Sequence, residues 1–304
     1  MNGADYILCT AARDEAEGIS RLIEDVLSQD KRPGLWVIVD DSSTDATPMI
    51  VERYARNNRW IRPLRYGGQR HESQLMHISK VKSFAARSAI SLAAAEGIAW
   101  SHIGILDADM SVDNTFYARM LKRLDEDDSI GLLGAGILSL SEKGIILESA
   151  RGDLPGSATM LCRRSCFEEI GGVPDDMYPE DAIMTARAKL SGWTTERSSA
   201  ITALQGRRSG SKYGDIKGYV LRGERVYFLR YPPAYLLIRS AHIGLKKGPL
   251  LALSFLYGFI RCRIRGAQRL EDRRLVEYFS GERFHEALSH NLGPMLERMG
   301  FRRP

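Results

Sequence analysis

Apolar runs and amphipathic helices alternate along the first two thirds of the chain. Tyr6–Ala11 and Leu35–Val39 are short, mostly apolar segments, typical of strands buried on both faces. Between them apolar residues recur every three or four positions, which predicts a helix beginning near Ile19. Another helix begins at Thr47-Pro48, because proline suits the first helical turn. Strands and helices joined by short connections indicate a parallel sheet with helices on both faces.

The same alternation continues to about residue 192. We predict four more helices, over Lys80–Glu96, Thr115–Asp125, Arg164–Ile170 and Glu180–Gly192, and three more strands, over His102–Leu106, Ile130–Leu140 and Ala158–Leu161. The pattern therefore predicts an α/β fold with a Rossmann-like, mostly parallel central sheet.

After Gln205 the pattern changes. The basic, turn-rich segment Gly206–Tyr213 predicts a mobile loop. The three segments after it are apolar around most of their circumference and edged with Arg and Lys: Gly218–Leu229, Pro233–Leu245 and Pro249–Gly266. Such helices pack on one another, on the body or on a second subunit, or they lie in a membrane interface. The longest uncharged apolar run, Pro249–Ile260, has 12 residues. A membrane span needs about 20 residues, so we expect none.

The balance of basic and acidic residues changes at nearly the same point in the chain. Residues 1–200 contain 23 Lys and Arg against 30 Asp and Glu, whereas residues 201–304 contain 20 against 8. An acidic body with a strongly basic end indicates an anionic partner for that end, either nucleic acid or membrane head groups. The four cysteines are irregularly spaced without a Cys-x-x-Cys pair, which argues against a zinc site or a disulfide framework. No secretory signal is visible, so we expect a cytoplasmic protein.

Acidic clusters follow three of the predicted strands: Asp14/Glu15, Asp40/Asp41 and Asp107/Asp109. The preference of Asp for turns and helix caps explains part of this pattern. Asp107 and Asp109 are harder to explain, because carboxylates at i and i+2 point the same way and repel each other unless a cation lies between them. Such oxygen ligands suit a hard divalent cation, with a substrate diphosphate completing the shell. We therefore expect a ligand site at the carboxyl edge of the sheet.

Two further groups carry candidate chemistry. Glu180 and Asp181 open a predicted helix that contains Arg187. Glu180 suits a helix N-terminus by charge alone, whereas Asp181 is a candidate general base for an acceptor hydroxyl. In the basic loop, Arg207 and Arg208 are either solvated or positioned to neutralise phosphates.

In this order, the motifs resemble those of family 2 glycosyltransferases, which have the GT-A fold. The resemblance covers residues 5 to about 200. Thr10–Glu15 resembles the opening turn of that family, with Asp14 in place of Asn. Asp40–Asp45 matches Asp-Asp-x-Ser-x-Asp, and Asp107-Ala108-Asp109 resembles the metal motif. Val81–Arg87 resembles the Gly-Lys-x-x-Ala-x-Asn helix but lacks its Gly and Asn.

The acceptor half carries the remaining matches. Gly156–Arg164, followed by Ile170-Gly171-Gly172, resembles the acceptor-side strand and helix of the family. Glu180-Asp181 followed by Arg187 matches its Glu-Asp-x-x-x-x-x-x-Arg pattern.

The resemblance implies an inverting, nucleotide-sugar-dependent glycosyltransferase that needs Mg²⁺ or Mn²⁺. The implied nucleotide-binding residues are Thr10, Glu15, Asp41, Lys82 and Asp107. Asp109 is the implied metal ligand and Asp181 the implied catalytic base. Glu180, Arg187, Arg207 and Arg208 lie on the acceptor or phosphate side. The GT-A catalytic domain spans 1–205, with a nucleotide-sugar half over about 1–110 and an acceptor half over about 111–205. A basic loop and a helical region, which we expect at a membrane interface, span 206–304.

The expected donor is a UDP-, GDP- or dTDP-sugar. The expected acceptor is a glycan or a polyprenyl-linked lipid at the cytoplasmic face of a membrane, in glycan, glycolipid or cell-surface polysaccharide synthesis. We expect transfer of one sugar, because Gln205–Ser209 lacks the Trp of the Gln-x-x-Arg-Trp motif found in processive synthases.

Three alternatives remain open from the sequence. A sugar-phosphate nucleotidylyltransferase should have a glycine-rich loop after its first strand, and Ala11–Glu15 contains no glycine. A nucleic-acid binder would explain the basic end, but its Arg residues accompany Leu and Phe and no helix-turn-helix signature is present, so we expect no nucleic-acid partner. A non-catalytic transferase-like domain fits the same motifs.

Overall fold

The computed structural model describes residues 4–69, 74–141, 144–148, 151–206 and 214–286. The chain divides into two compact units, Met1–Ser209 and Gly210–Pro304. The division falls within the basic segment where the sequence predicts the end of the α/β region. Residues 207–213, which include Arg207 and Arg208, lie outside the described residues.

One sheet forms the centre of the first unit. Its strands in the described residues are β1 (Ala4–Ala12), β2 (Leu35–Asp40), β3 (Ile61–Arg65), β4 (Trp100–Leu106), β5 (Met110–Ser111), β6 (Ile130–Ser141), β7 (Gly144–Leu147), β8 (Thr159–Arg163) and β9 (Thr194–Gln205). They follow the order β3-β2-β1-β4-β8-β6-β9-β5, and β7 pairs with β6. The first four strands are parallel, β8 is antiparallel to both its neighbours, and β6 and β9 are again parallel. The predicted α/β class is confirmed, with a parallel nucleotide half and a mixed remainder.

Helices cover both faces of this sheet. They are α1 (Ile19–Leu27), α2 (Thr47–Asn57), α3 (Gln74–Ala95), α4 (Phe116–Glu126), α5 (Arg164–Glu169) and α6 (Glu180–Leu190). Along β1, Tyr6 and Leu8 belong to one buried cluster, with α1, α2 and α4, whereas Ile7 and Cys9 belong to another, with α3, α5 and α6. This alternation is the period of two expected of a strand buried on both faces. Because β1, β2 and β4 are parallel, their carboxyl ends lie at the same edge of the sheet, outside both buried clusters.

The second unit is helical in its described part. Its helices are α7 (Gly214–Phe228), α8 (Pro233–Lys247), α9 (Pro249–Ile264) and α10 (Arg273–Ser280). Val226, Ile243, Ala252 and Phe255 form its buried cluster. Among the residues that the structure describes, no helix is both long and apolar enough to cross a membrane.

Candidate active site at the carboxyl edge of the sheet

The turns after β1 and β2 are tied to each other. Asp14 and Ser42 have positive φ angles of 52° and 57°, a conformation that short polar residues tolerate better than most. The carboxylate of Asp14 accepts hydrogen bonds from the amide of Thr44 at 2.7 Å and from its hydroxyl at 3.1 Å. The amide bond lowers the pKa of Asp14 and keeps its carboxyl ionised. These contacts fix the two turns as one polar rim.

Asp41 lies on this rim and is held by a histidine. Both carboxylate oxygens of Asp41 are within hydrogen-bond distance of His77 Nε2, at 2.8 and 2.9 Å, and Arg13 reaches Oδ2 at 3.5 Å. Both Asp41 and His77 are buried. The rings of His77 and Tyr66 pack in a T-shaped arrangement, with 5.6 Å between the ring centroids. Asp41 is thus held in one orientation by α3 and by the turn after β1.

Lys82, five residues after His77 on α3, connects the two halves of the sheet. Its ammonium lies 2.7 Å from Asp107 Oδ1, after β4, and 3.0 Å from Glu180 Oε1, at the start of α6. It also donates to Ser157 Oγ at 2.9 Å, and that hydroxyl donates to Glu180 at 2.9 Å. Lys82 and Glu180 are buried, whereas Asp107 is partly exposed. The network therefore ties the predicted nucleotide side to the predicted acceptor side.

The pKa shifts in this network follow from burial and charge. Burial disfavours the ammonium of Lys82, but the charges of Asp107 and Glu180 outweigh burial and raise its pKa. Burial likewise opposes ionisation of Glu180, and Lys82 more than offsets it, so that the pKa of Glu180 is lowered. Burial raises the pKa of Asp107; the charge of Lys82 opposes this rise and that of Asp109 adds to it. Asp107 therefore shares the ammonium of Lys82 with Glu180 and lies close to the charge of Asp109.

Asp109 is joined to the end of β9. Its Oδ2 accepts a hydrogen bond from the side-chain amide of Gln205 at 3.1 Å, and its carbonyl accepts one from the amide of Gly206 at 2.8 Å. Among the described residues, no group of three or more His, Cys, Asp and Glu side chains is placed to hold a metal. Asp107 and Asp109 are nevertheless hard oxygen donors two residues apart, the type of ligand that a hard divalent cation prefers. Two carboxylates suit Mg²⁺ or Mn²⁺ if a substrate supplies the remaining oxygens.

The start of α6 places Asp181 next to the Lys82 network. Asp181 is half-buried, and its Oδ1 accepts a hydrogen bond from the amide of Ala182 at 2.7 Å. Glu180, the preceding residue, is held by Lys82 and Ser157, and its Oε2 accepts a bond from Ser79 at 3.4 Å. The first turn of α6 is therefore anchored through Glu180, and the positive end of the helix dipole favours a charged Asp181.

Three predicted site residues have contacts of another kind. Thr10 is buried and its hydroxyl accepts a hydrogen bond from the indole of Trp36 at 3.0 Å. Arg187 donates to the carbonyl of Ile170 at 3.1 Å and so supports the loop before α6. Glu15 is buried, and its amide donates to Thr47 Oγ1 at 2.8 Å. The structure thus shows these residues in hydrogen bonds within the fold, and within the described part of the chain the contacts of Thr10 and Arg187 do not include the site carboxylates.

Three residues of the site are absent from the sequence prediction. His77 lies before the predicted start of its helix at Lys80, because α3 begins at Gln74 instead. Ser157 lies within Gly156–Arg164, which resembles the acceptor-side strand of the family, but nothing in that segment indicates a contact with Lys82. Gln205 ends a polar strand that the apolar pattern does not predict. Each contact joins elements distant in sequence, and no local spacing encodes it.

Comparison with known proteins agrees with this geometry. Residues 7–145 match the family described as Glycosyl transferase family 2. A curated relative, the beta-monoglucosyldiacylglycerol synthase of Synechocystis sp., is 22% identical over 208 residues, which cover 61% of this chain and 40% of the synthase. The chain thus matches less than half the length of that relative.

Solved structures share the fold at low identity. A mannosyltransferase from Pyrobaculum calidifontis, in complex with GDP-Man and Mn²⁺, is 17% identical with a TM-score of 0.56, over 86% of this chain and 76% of that one. Residues 1–349 of S. aureus TarS, in complex with UDP-GlcNAc, are 15% identical with a TM-score of 0.55, over 98% and 93%. GalNAc-T7 with UDP, GalNAc and Mn²⁺ is 14% identical with a TM-score of 0.55, over 95% and 58%. The predicted resemblance to family 2 glycosyltransferases is confirmed over residues 7–145, and the solved structures share the GT-A fold.

Proposed function

We propose that the protein transfers one sugar from a nucleoside diphosphate sugar to an acceptor hydroxyl or lipid phosphate, with inversion at the anomeric carbon. The proposal rests mainly on α3, which contacts Asp41 through His77 and contacts Asp107 and Glu180 through Lys82. A single helix thereby links carboxylates on the donor side to the acidic start of α6. The family 2 domain supplies the reaction class.

On the donor side, Asp41 contacts the ribose or base, and Lys82 and Asp107 lie toward the diphosphate and sugar. Neighbouring structures are complexes with GDP-Man and UDP-GlcNAc, which supports a nucleoside diphosphate sugar as donor; we propose a UDP-, GDP- or dTDP-sugar. Asp109, with Asp107, would hold Mg²⁺ or Mn²⁺. That cation, when bound, offsets the negative charge that develops on the departing nucleoside diphosphate. Two of the neighbours were solved with Mn²⁺.

On the acceptor side, Asp181 is the general base. The acceptor oxygen forms a bond to the anomeric carbon as the bond from that carbon to the diphosphate oxygen breaks, and the hydroxyl proton passes to Asp181. Glu180 acts through its contacts with Lys82 and Ser157 and keeps the first turn of α6 in place. A lipid phosphate acceptor is already an oxyanion and needs no base.

We propose a glycan or a polyprenyl-linked lipid as acceptor, in glycan, glycolipid or cell-surface polysaccharide synthesis. The Synechocystis relative is named for a diacylglycerol product, which supports a lipid acceptor. The excess of Lys and Arg over residues 201–304 supports a peripheral enzyme on the cytoplasmic face of a membrane. Arg207 and Arg208, which lie outside the described residues, are proposed to neutralise phosphate, and Arg187 is proposed to act on the acceptor side through the loop that it supports before α6.

Asp181→Asn tests this proposal. With a hydroxyl acceptor we expect transfer to fall at least ~100-fold, because proton removal by a positioned base contributes about that much or more. Asp175→Asn is the matched control: Asp175 lies in the loop before α6, is exposed and pairs with Arg87. Initial rates with a labelled donor sugar measure both variants, and circular dichroism checks their folding. Full activity of Asp181→Asn on a hydroxyl acceptor would refute the assignment of the base.

A further inference from the structure

Helix α9 has two apolar faces, and its contact with α7 determines which one is buried. Gly223 of α7 and Gly258 of α9 meet where the two helices cross. A Cβ atom added to Gly223 would lie 2.0 Å from the carbonyl oxygen of Phe255, and one added to Gly258 would lie 2.0 Å from that of Val220. Backbone therefore packs directly on backbone at this crossing. The contact fixes the rotation of α9 about its axis and turns Phe255 and Gly258 inward.

The opposite side of α9 is also apolar, and it is exposed. We call it the outer face; it consists of Leu250, Leu253, Tyr257, Ile260 and Ile264. These side chains are spaced alternately three and four residues apart, so they form one continuous stripe along the helix. Between 47% and 80% of each residue is exposed. Leu245, near the end of α8 and five residues before Leu250, is 82% exposed. A contiguous apolar stripe of this kind marks an interaction surface.

Cations lie at both ends of the outer face. From Arg225 to Leu270 the chain contains nine Lys and Arg and no Asp or Glu. Lys246 and Lys247 end α8 just before α9 begins, Arg263 lies in the last turn of α9 and Arg265 follows it, and all four are exposed. The partner of this surface must therefore offer apolar volume beside negative charge.

We propose that the outer face of α9 docks on the surface of an anionic lipid bilayer. Helix α9 has 16 residues, too few to span the hydrocarbon core but suited to lying in the interface plane with its apolar stripe toward the acyl chains. The flanking Lys and Arg then lie at the level of anionic head groups. Tyr257 has the amphipathic ring that favours this depth.

A second copy of the chain fits this surface less well. Pairing two outer faces would bring the flanking cations of both copies close together, and the segment from Arg225 to Leu270 supplies no carboxylate to neutralise them. An anionic bilayer meets the same cations with opposite charge. Charge complementarity thus favours lipid.

Vesicle flotation of the full chain tests the proposal. We expect the protein to float with vesicles containing about one third phosphatidylserine or phosphatidylglycerol and to remain unbound with pure phosphatidylcholine. Leu253→Gln/Ile260→Gln should reduce the bound fraction at least ~10-fold, because both apolar contacts with the bilayer are lost. Met49→Gln/Leu190→Gln, which removes two exposed apolar side chains of the first unit, is the matched control and should bind normally.

The charge contribution has its own variant. Lys246→Gln/Lys247→Gln should weaken binding to anionic vesicles, by about fivefold per cation, and wild-type binding should fall in ~1 M NaCl.

Two results would overturn the proposal: wild-type protein that does not bind anionic vesicles, or equal binding of the wild type and Leu253→Gln/Ile260→Gln. A dimer in sedimentation that Leu253→Gln/Ile260→Gln disperses, without vesicle binding, would assign the surface to a second copy instead. The inference extends the proposed function, yet flotation needs no sugar transfer, so a protein that binds vesicles without transferase activity would refute only the function.

Discussion

Lys82 lies buried between two carboxylates, whereas Lys246 and Lys247 are exposed beside apolar side chains. In the first unit, positive charge is neutralised within the fold. In the described part of the second unit, Arg261 pairs with Glu224, but the segment from Arg225 to Leu270 itself contains nine Lys and Arg and no Asp or Glu. The same residue type therefore organises a site in one unit and an outward-facing surface in the other. Burial and the neighbouring charges, more than residue type, decide which role a lysine takes.

The strongest way to break the buried arrangement is Lys82→Met. The variant leaves Glu180 buried without its counter-charge, and breaking a buried pair by removing one partner costs about 3–5 kcal/mol. Urea unfolding followed by circular dichroism measures the loss. Adding Glu180→Gln to this variant should recover part of the stability, because the uncompensated charge is then removed. A double variant no more stable than Lys82→Met would contradict this explanation.

The two faces of α9 can be compared on one helix. Phe255→Ala should lower the free energy of unfolding by about 3–5 kcal/mol, because the ring is buried against α7 and α8. Leu253→Gln, two residues away on the outer face, should change it by less than about 0.5 kcal/mol. Thermal and urea unfolding of both variants measure the contrast. Similar losses for the two would show that the outer face is covered in solution.

Acidification should abolish the difference in unfolding free energy between the wild type and Glu180→Gln. At neutral pH, Glu180→Gln should cost about 1.5–3 kcal/mol, the range for hydrogen bonds to charged groups. The pKa of Glu180 is lowered in the fold, so its contribution is complete above its ordinary pKa of 4.5 and is lost as the pH falls through the lowered value. The difference between wild type and variant should therefore shrink below about pH 4. Urea titrations at several pH values measure this difference. A difference that increased on acidification would contradict the lowered pKa of Glu180.

The smallest effect concerns His77. His77→Leu removes the group that holds Asp41, and we expect KM for the donor to rise about tenfold with little change in kcat, since one charged hydrogen bond is lost. His77→Gln can still donate to the carboxylate and should recover part of the affinity. Steady-state kinetics separate the two parameters. A fall in kcat with unchanged KM would place His77 elsewhere in the reaction.

Much of the fold is predictable from apolar patterning, and the exceptions have physical causes. The helices and the buried strands β1, β2 and β4 follow directly from their patterns. The pattern does not predict β3, an edge strand that contains Pro63, because proline and half-exposed residues weaken the strand signal. It also misses β9, whose Thr- and Ser-rich sequence is only partly buried, and the short strands β5 and β7.

The site and the outer face of α9 are predictable only in part. The ends of the predicted strands place Asp41, Asp107 and Asp109 at one sheet edge, but the contacts of Glu180, His77 and Gln205 depend on tertiary packing. The apolar composition of α9 does not separate the exposed Leu253 from the buried Phe255. Helical periodicity could not decide between the faces, since α9 is apolar nearly all round and only the glycine contact with α7 fixes its rotation.

The most direct test of the account is nucleoside diphosphate binding by isothermal titration calorimetry, with UDP, GDP and dTDP, with and without Mn²⁺. We predict that one of the three binds, that Mn²⁺ strengthens its binding at least ~10-fold, and that Asp109→Asn abolishes this gain while Asp175→Asn keeps it. Binding of none of the three, or a gain with Mn²⁺ that survives Asp109→Asn, would contradict a nucleotide site at the 107–109 turn.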